Sequence, residues 1–241
     1  ANASPPDSRR KAMHDSAPAR VNHTVNRAAV AVSSVSVCLL ASCLAASADT
    51  NLDRLLKTIE YRYNNAKTLQ VHFTESYTVQ GQPRRTESGE LTLRKPGRMR
   101  WQYSAPAGKL FVSDGKEVYL YSPDTNQVQK MKLKQSEDIR APLAFLLGKL
   151  DFNKDFRNFQ MKPDGGNWSV TADARTENLP YQKIEMLVNV QGEIQRLVIT
   201  GQDRSILTFQ FANETVNPPV NDALFKFKMP AGAAMAQEIK Q

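Results

Sequence analysis

The stretch from Gly89 to Pro123, GELTLRKPGRMRWQYSAPAGKLFVSDGKEVYLYSP, constrains the fold of this chain more than any other. It is a series of short apolar-alternating pieces separated by Lys95-Pro96-Gly97-Arg98, Pro106-Ala107-Gly108 and Ser113-Asp114-Gly115-Lys116. Successive side chains of a strand point to opposite faces, and Pro/Gly and Asp-Gly pieces reverse the chain, so the pattern predicts an antiparallel meander. Leu91, Leu93, Met99, Trp101 and Tyr103 fall on odd positions and share a face within each strand, whereas Arg98, Arg100 and Gln102 fall on the other. One face is apolar and aromatic, the other basic and wetted.

The flanking sequence extends this pattern. Residues Asn51–Asn65 carry Leu52, Leu55, Leu56, Ile59 and Tyr63 at helical spacing and predict an amphipathic helix, with Thr50 and Asp53 as a capping pair. The period then changes to two: Leu69, Val71, Phe73, Tyr77 and Val79 alternate with polar residues up to the Gly81-Gln82-Pro83 turn, and 85–95 returns. Strands are expected near 98–104, 108–113, 117–122 and 127–133, then near 156–161, 168–172, 181–190, 194–201 and 206–212. Pro142 and Gly148 bracket a short, almost wholly apolar helix. About ten strands and two or three helices, with no fixed repeat and no linker, predict a mainly β (α+β) fold. It is a large curved antiparallel sheet whose apolar face is covered by the helices of 51–65 and 142–148.

Both cysteines, Cys38 and Cys43, precede this body, which excludes a disulfide, a cysteine zinc site and a cysteine nucleophile from Ala45 onward. The first 48 residues hold five Lys/Arg and two Asp/Glu, leaving 27 and 22 spread along the remainder, without the clustering of a nucleic-acid binder. Residues 1–20 are Pro-, Ser-, Ala- and charge-rich, and Met13 is a candidate initiator. Arg20, His23 and Arg27 then precede the 13-residue apolar run of Ala28–Leu40, a segment short for a membrane span and suited to an export signal. Two cleavage patterns follow. Ala46-Ser47-Ala48 is a small-x-small site before Asp49, and Leu40-Ala41-Ser42-Cys43 resembles a lipobox that would leave Cys43 acylated. The small-residue rule favours cleavage after Ala48. Residues 1–48 are therefore expected to be leader and signal, and 49–241 a single exported domain.

The exported body offers little for catalysis. His72 is its one histidine and sits on a polar strand face, with Glu75 the nearest carboxylate in sequence. Asp114-Gly115 and Asp124 read as turns. Asp151 and Asp155 lack the oxygen-rich spacing of a calcium loop, and Gly165-Gly166 lacks the Lys-Ser/Thr of a phosphate loop. No metal or cofactor is expected, and no enzyme. What remains is the apolar face: Phe73 and Tyr77, Leu91 and Leu93, Met99, Trp101 and Tyr103, with Tyr119 and Tyr121, and Leu143, Phe145, Leu146 and Leu147 from the short helix. Cores and ligand cavities use the same residue types, and composition does not separate them.

Motif order bears on the choice. Lys95-Pro96-Gly97-Arg98-Met99-Arg100-Trp101, then Val112-Ser113-Asp114-Gly115-Lys116, then Tyr119–Pro123 with Gln127-Val128, resembles the LolA family of periplasmic outer-membrane lipoprotein carriers. The ending Phe225-x-Phe227-x-x-Pro230-x-Gly232 resembles that family's last strand and Pro-Gly tail, so the resemblance spans about residues 50–239. It implies an unclosed β-barrel, a half-barrel with a helical lid over a hydrophobic cavity. The implied cargo is acylated lipoproteins, received by a monomeric carrier from an inner-membrane ABC transporter and passed across the periplasm to an outer-membrane receptor of the same fold. No nucleic-acid partner is expected. Met99 takes the family's apolar position after the turn. Lys95 takes the place of the arginine that latches the lid, and it lacks that residue's planar fork; Arg94 is the neighbour expected to assist. Acylation of Cys43 would instead make the chain an anchored LolB-like receptor, and a lipid-sensing regulatory module is the third use of such a fold.

Overall fold

In the computed structural model, which describes residues 51–133, 150–177 and 181–236, the change of period after residue 65 marks the boundary between helix and sheet. Residues 51–65 form helix α1, and Leu55, Leu56, Ile59 and Tyr63 are its buried stripe. The helix expected over 142–148, with Leu143, Phe145, Leu146 and Leu147, lies outside the described residues, as does the whole of 1–50 with Cys38 and Cys43.

Among the described residues, twelve strands make one sheet. The first meander is β1 (Thr68–Val79), β2 (Gln82–Arg94), β3 (Arg98–Ala105), β4 (Leu110–Asp114), β5 (Glu117–Ser122) and β6 (Gln127–Lys132). A one-turn helix α2 (Phe152–Asp155) leads into the second: β7 (Phe156–Asp164), β8 (Asn167–Ala174), β9 (Tyr181–Val188), β10 (Ile194–Gly201) and β11 (Ile206–Val216). The two meanders join where β1 pairs antiparallel with β11. A 3₁₀ turn (Asp222–Phe225) and the two-residue β12 (Ala234–Met235) complete the described chain. The spatial order is β12-β6-β5-β4-β3-β2-β1-β11-β10-β9-β8-β7, so β7 and β12 stand at opposite edges and the barrel is unclosed.

The sheet curves because its long strands carry register shifts: Gln70/His72 against β11, Tyr77/Thr78 against β2, and Ser88/Gly89 between β2 and β3. Each adds local twist and bend. Gly89 allows one of them, since a Cβ there would stand 2.1 Å from the Gln102 carbonyl oxygen. The concave side holds the main core, a cluster joining α1 to residues of β1–β5 and β7–β11.

The ending departs from the expected last strand. Phe225 closes the 3₁₀ turn and is buried, Phe227 stacks flat on Tyr119 with ring centroids 4.7 Å apart, and the short strand comes later, parallel to β6. This segment covers the convex face of the first meander. The even-numbered arginines hold it there: Arg94 Nη1 donates to the Val220 carbonyl at 3.2 Å and pairs with Asp222, Arg98 reaches Asp222 at 3.0 Å, and Arg100 donates to the Leu224 carbonyl at 3.3 Å. The face read as basic and wetted is thus partly a docking strip for the chain's own C-terminal segment. Arg94, expected beside Lys95 as a latch, serves this strip instead, because consecutive strand residues point to opposite faces.

Candidate functional site

Register carries the concave face from strand to strand. Leu69 pairs with Leu93, and Leu93 with Met99; Val71 pairs with Leu91, and Leu91 with Trp101; Phe73 pairs with Gly89, and Gly89 with Tyr103. All six large apolar side chains of β2, β3 and β1 named in the first two rungs are buried, as are Phe73 and Tyr103. Trp101 packs edge-on against Phe73 with centroids 4.7 Å apart, and Phe73 edge-on against Tyr103 at 5.2 Å. The odd-position set of β1–β3 therefore does lie on one surface. Tyr77 is half-buried at its far end. The Trp101 indole nitrogen is buried with no hydrogen-bond partner among the described residues, an unmet donor on this face.

Tyr119 and Tyr121 do not join it. Trp101 pairs with Phe111 and Phe111 with Leu120, so the concave residues of β5 are Val118 and Leu120. Tyr119 lies on the convex side with Lys130 and Phe227, and Tyr121 donates to the Asn126 side chain at 3.0 Å. In Glu117–Ser122 both faces are apolar or aromatic, and the larger rings belong to the outer one. Phe111, Val118 and Phe209 are concave residues outside the expected set; the cross-strand register, once known, is the signal that finds them.

Lys95 sits under the end of α1. Its ammonium donates to the Tyr63 carbonyl at 2.5 Å, and its backbone N–H to the Lys67 carbonyl at 2.9 Å. Tyr63 is in the last helical turn, where carbonyls lack partners within the helix and a positive charge is favoured. Partial burial lowers the Lys95 pKa. Lys95→Met keeps the stem but removes the donor, so a loss of about 1 kcal/mol in unfolding free energy is expected, with Lys95→Arg retaining most of it; urea denaturation measures both.

A second polar network ties the same helix to the sheet. Glu214 accepts from Tyr63 Oη and Arg62 Nε, both at 2.8 Å, and the Tyr63 oxygen accepts from the Ile194 N–H at 3.0 Å. Burial, with the Glu214 charge beside it, pushes the Tyr63 hydroxyl well above its ordinary pKa, and burial raises Glu214 as well. Gly192 completes the seat: it has φ +76°, and a Cβ there would approach the Ile59 nitrogen to 3.1 Å.

The opposite end of the concave face is charged. Glu75 stands directly across from Glu87 on β1 and β2, and both are buried. Lys109 Nζ lies 2.6 Å from each Glu87 carboxylate oxygen and 4.4 Å from the centroid of the Tyr103 ring. Arg85, half exposed, reaches Glu75 at 3.7 Å and Glu87 at 4.0 Å.

Asp114, read as a turn residue, and His72, read as a surface residue, behave so. Asp114 Oδ1 accepts from the N–H groups of Lys116 and Glu117 at 2.8 Å each. Asp151 caps α2 by accepting from the Lys154 N–H at 3.2 Å. His72 is exposed on the convex side, 3.3 Å from Asn213, and its carboxylate neighbour is Glu90 at 3.7 Å rather than Glu75, because β2 brings Glu90 opposite it.

The family model described as "Outer membrane lipoprotein carrier protein LolA" matches residues 64–228, which takes in β1 to β11. This chain belongs to the LolA family. Curated relatives of the family include the outer-membrane lipoprotein carrier protein of Pseudomonas fluorescens, 31% identical over 199 residues, which are 79% of this chain and 90% of that protein. The protein of the same name from Azotobacter vinelandii is 30% identical over 191 residues, 77% of this chain and 89% of the relative. That of Nitrosomonas europaea is 27% identical over 205 residues, 85% of this chain and 96% of the relative. The LolA sheet of this chain is the unclosed barrel described above, and its concave surface is the face that Met99, Trp101 and Tyr103 share.

Proposed function

We propose that this chain is a periplasmic, non-enzymatic carrier that shields the acyl chains of lipoproteins released from the inner membrane and delivers them to an outer-membrane receptor. The family match over 64–228 carries this reading, and the continuous concave apolar face supports it. Each buried CH₂ contributes about 0.8 kcal/mol, so one long acyl chain exposed to water costs on the order of 10 kcal/mol. A diffusing carrier must hide that surface, and hiding it needs no catalytic group. Release follows when a receptor offers a better site, since a ligand shifts to the state that binds it more tightly. The inner-membrane partner in this reading is a lipoprotein-releasing ABC transporter.

Reconstitution tests the reading. Proteoliposomes holding such a transporter and a tagged triacylated lipoprotein are given ATP and this chain. The lipoprotein is expected in the soluble fraction as a one-to-one complex, and then in receptor-bearing vesicles. Retention of all lipoprotein in the proteoliposomes overturns the proposal. Met99→Glu places a carboxylate on the concave face, and release is expected to fall at least tenfold.

A further inference from the structure

The concave face changes character abruptly along β1. From the α1 end outward, Leu69, Val71 and Phe73 are apolar and buried, and the next residue on that face is Glu75. Glu75 pairs across the sheet with Glu87 on one side and Phe209 on the other, so the carboxylates stand in line with the aromatic core. Lys109 closes on Glu87 with both oxygens at 2.6 Å, its ammonium against the Tyr103 ring. Glu87 and Lys109 are 7% and 8% exposed. Resting on the carrier reading above, we propose that the Glu87–Lys109 pair, with Glu75 across from it, is an end stop that sets the length of acyl chain the concave face accepts.

The physical reason is a mismatch of surfaces. A methylene placed against apolar side chains gains the transfer free energy of leaving water. One driven into a desolvated ion pair must separate charges whose attraction the interior strengthens. Extra carbons at this point gain nothing. The length of the apolar run gives the limit. Glu75 lies six residue steps along β1 from Leu69, and at about 3.3 Å per step they span about 20 Å. Carbon–carbon bonds of about 1.5 Å advance about 1.25 Å each in an extended zigzag, so about sixteen carbons fill that distance.

The test is a chain-length series. Saturated fatty acids of 12, 14, 16, 18 and 20 carbons compete with a dansyl-labelled fatty acid for the full exported chain. Affinity is expected to rise about fourfold per added CH₂ and then to level near sixteen carbons. In the doubly substituted E87L/K109M protein the rise is expected to continue to at least eighteen carbons, whereas the reversed pair E87K/K109E levels where the natural protein does. A second measurement uses the unsubstituted protein. Hexadecanoic acid with a diazirine at its terminal carbon is expected to crosslink peptides holding Phe73–Glu75, Glu87 or Lys109. A series that rises through twenty carbons, a break that E87L/K109M leaves in place, or crosslinks confined to α1 overturns the stop. Absence of binding by every fatty acid overturns the carrier reading with it.

Discussion

Trp101→Ala is expected to lower the unfolding free energy by about 3–5 kcal/mol, the usual cost of emptying a buried aromatic site. Trp101 is 1% exposed, at the crossing of the β1–β2–β3 rung with Phe111 of β4, and its ring touches both meanders through Phe73 and Phe209. The cavity cannot collapse easily, because strands on both sides are fixed by ladder bonds. A melting temperature about 10 °C lower follows for a domain of this size. Urea denaturation followed by circular dichroism checks it, and a change under 1 kcal/mol would show that Trp101 is not a structural centre. Trp101→Phe restores most of the ring contact while deleting the unmet N–H, so its cost is expected to be well below that of the alanine variant.

Glu87→Ala is expected to cost about 3–5 kcal/mol for a different reason. The side chain removed is the partner of a buried ammonium, and Lys109 would be left charged against the Tyr103 ring at the end of the core. Removing Lys109 as well relieves the penalty, so a Glu87→Leu, Lys109→Met double variant is expected to lie within about 1–2 kcal/mol of the natural protein. A double-mutant cycle on urea midpoints measures the coupling directly. Additive single and double effects would mean that the two groups do not sense each other. The same cycle shows whether the variant used for the chain-length series is folded.

Much of the architecture was legible from residue order. Alternation in Leu69–Val79 and in 91–103 announced half-buried strands, and the stripe of Leu55, Leu56, Ile59 and Tyr63 announced α1. The Lys95–Trp101 and Val112–Lys116 motifs, in that order, pointed to the family that the comparison over 64–228 then showed. The candidate face was legible only where one side of a strand is polar. In β3, Arg98, Arg100 and Gln102 make the choice unambiguous. In β5, Val118, Tyr119, Leu120 and Tyr121 are apolar or aromatic on both sides, and size favoured the wrong pair.

Local sequence by itself determined which residues become strands, where the turns fall and how each strand divides into two faces, because those follow from backbone sterics and a two-residue period. Tertiary structure decided which of the two faces of each strand is concave, since parity restarts at every hairpin and shifts at every bulge. It also decided the polar partners. Glu214 meets Tyr63 and Arg62, Lys109 meets Glu87, and Lys95 meets the end of α1 across separations that no local pattern records. Burial makes those pairings strong, and burial is a property of the assembled sheet and helix rather than of any segment within them.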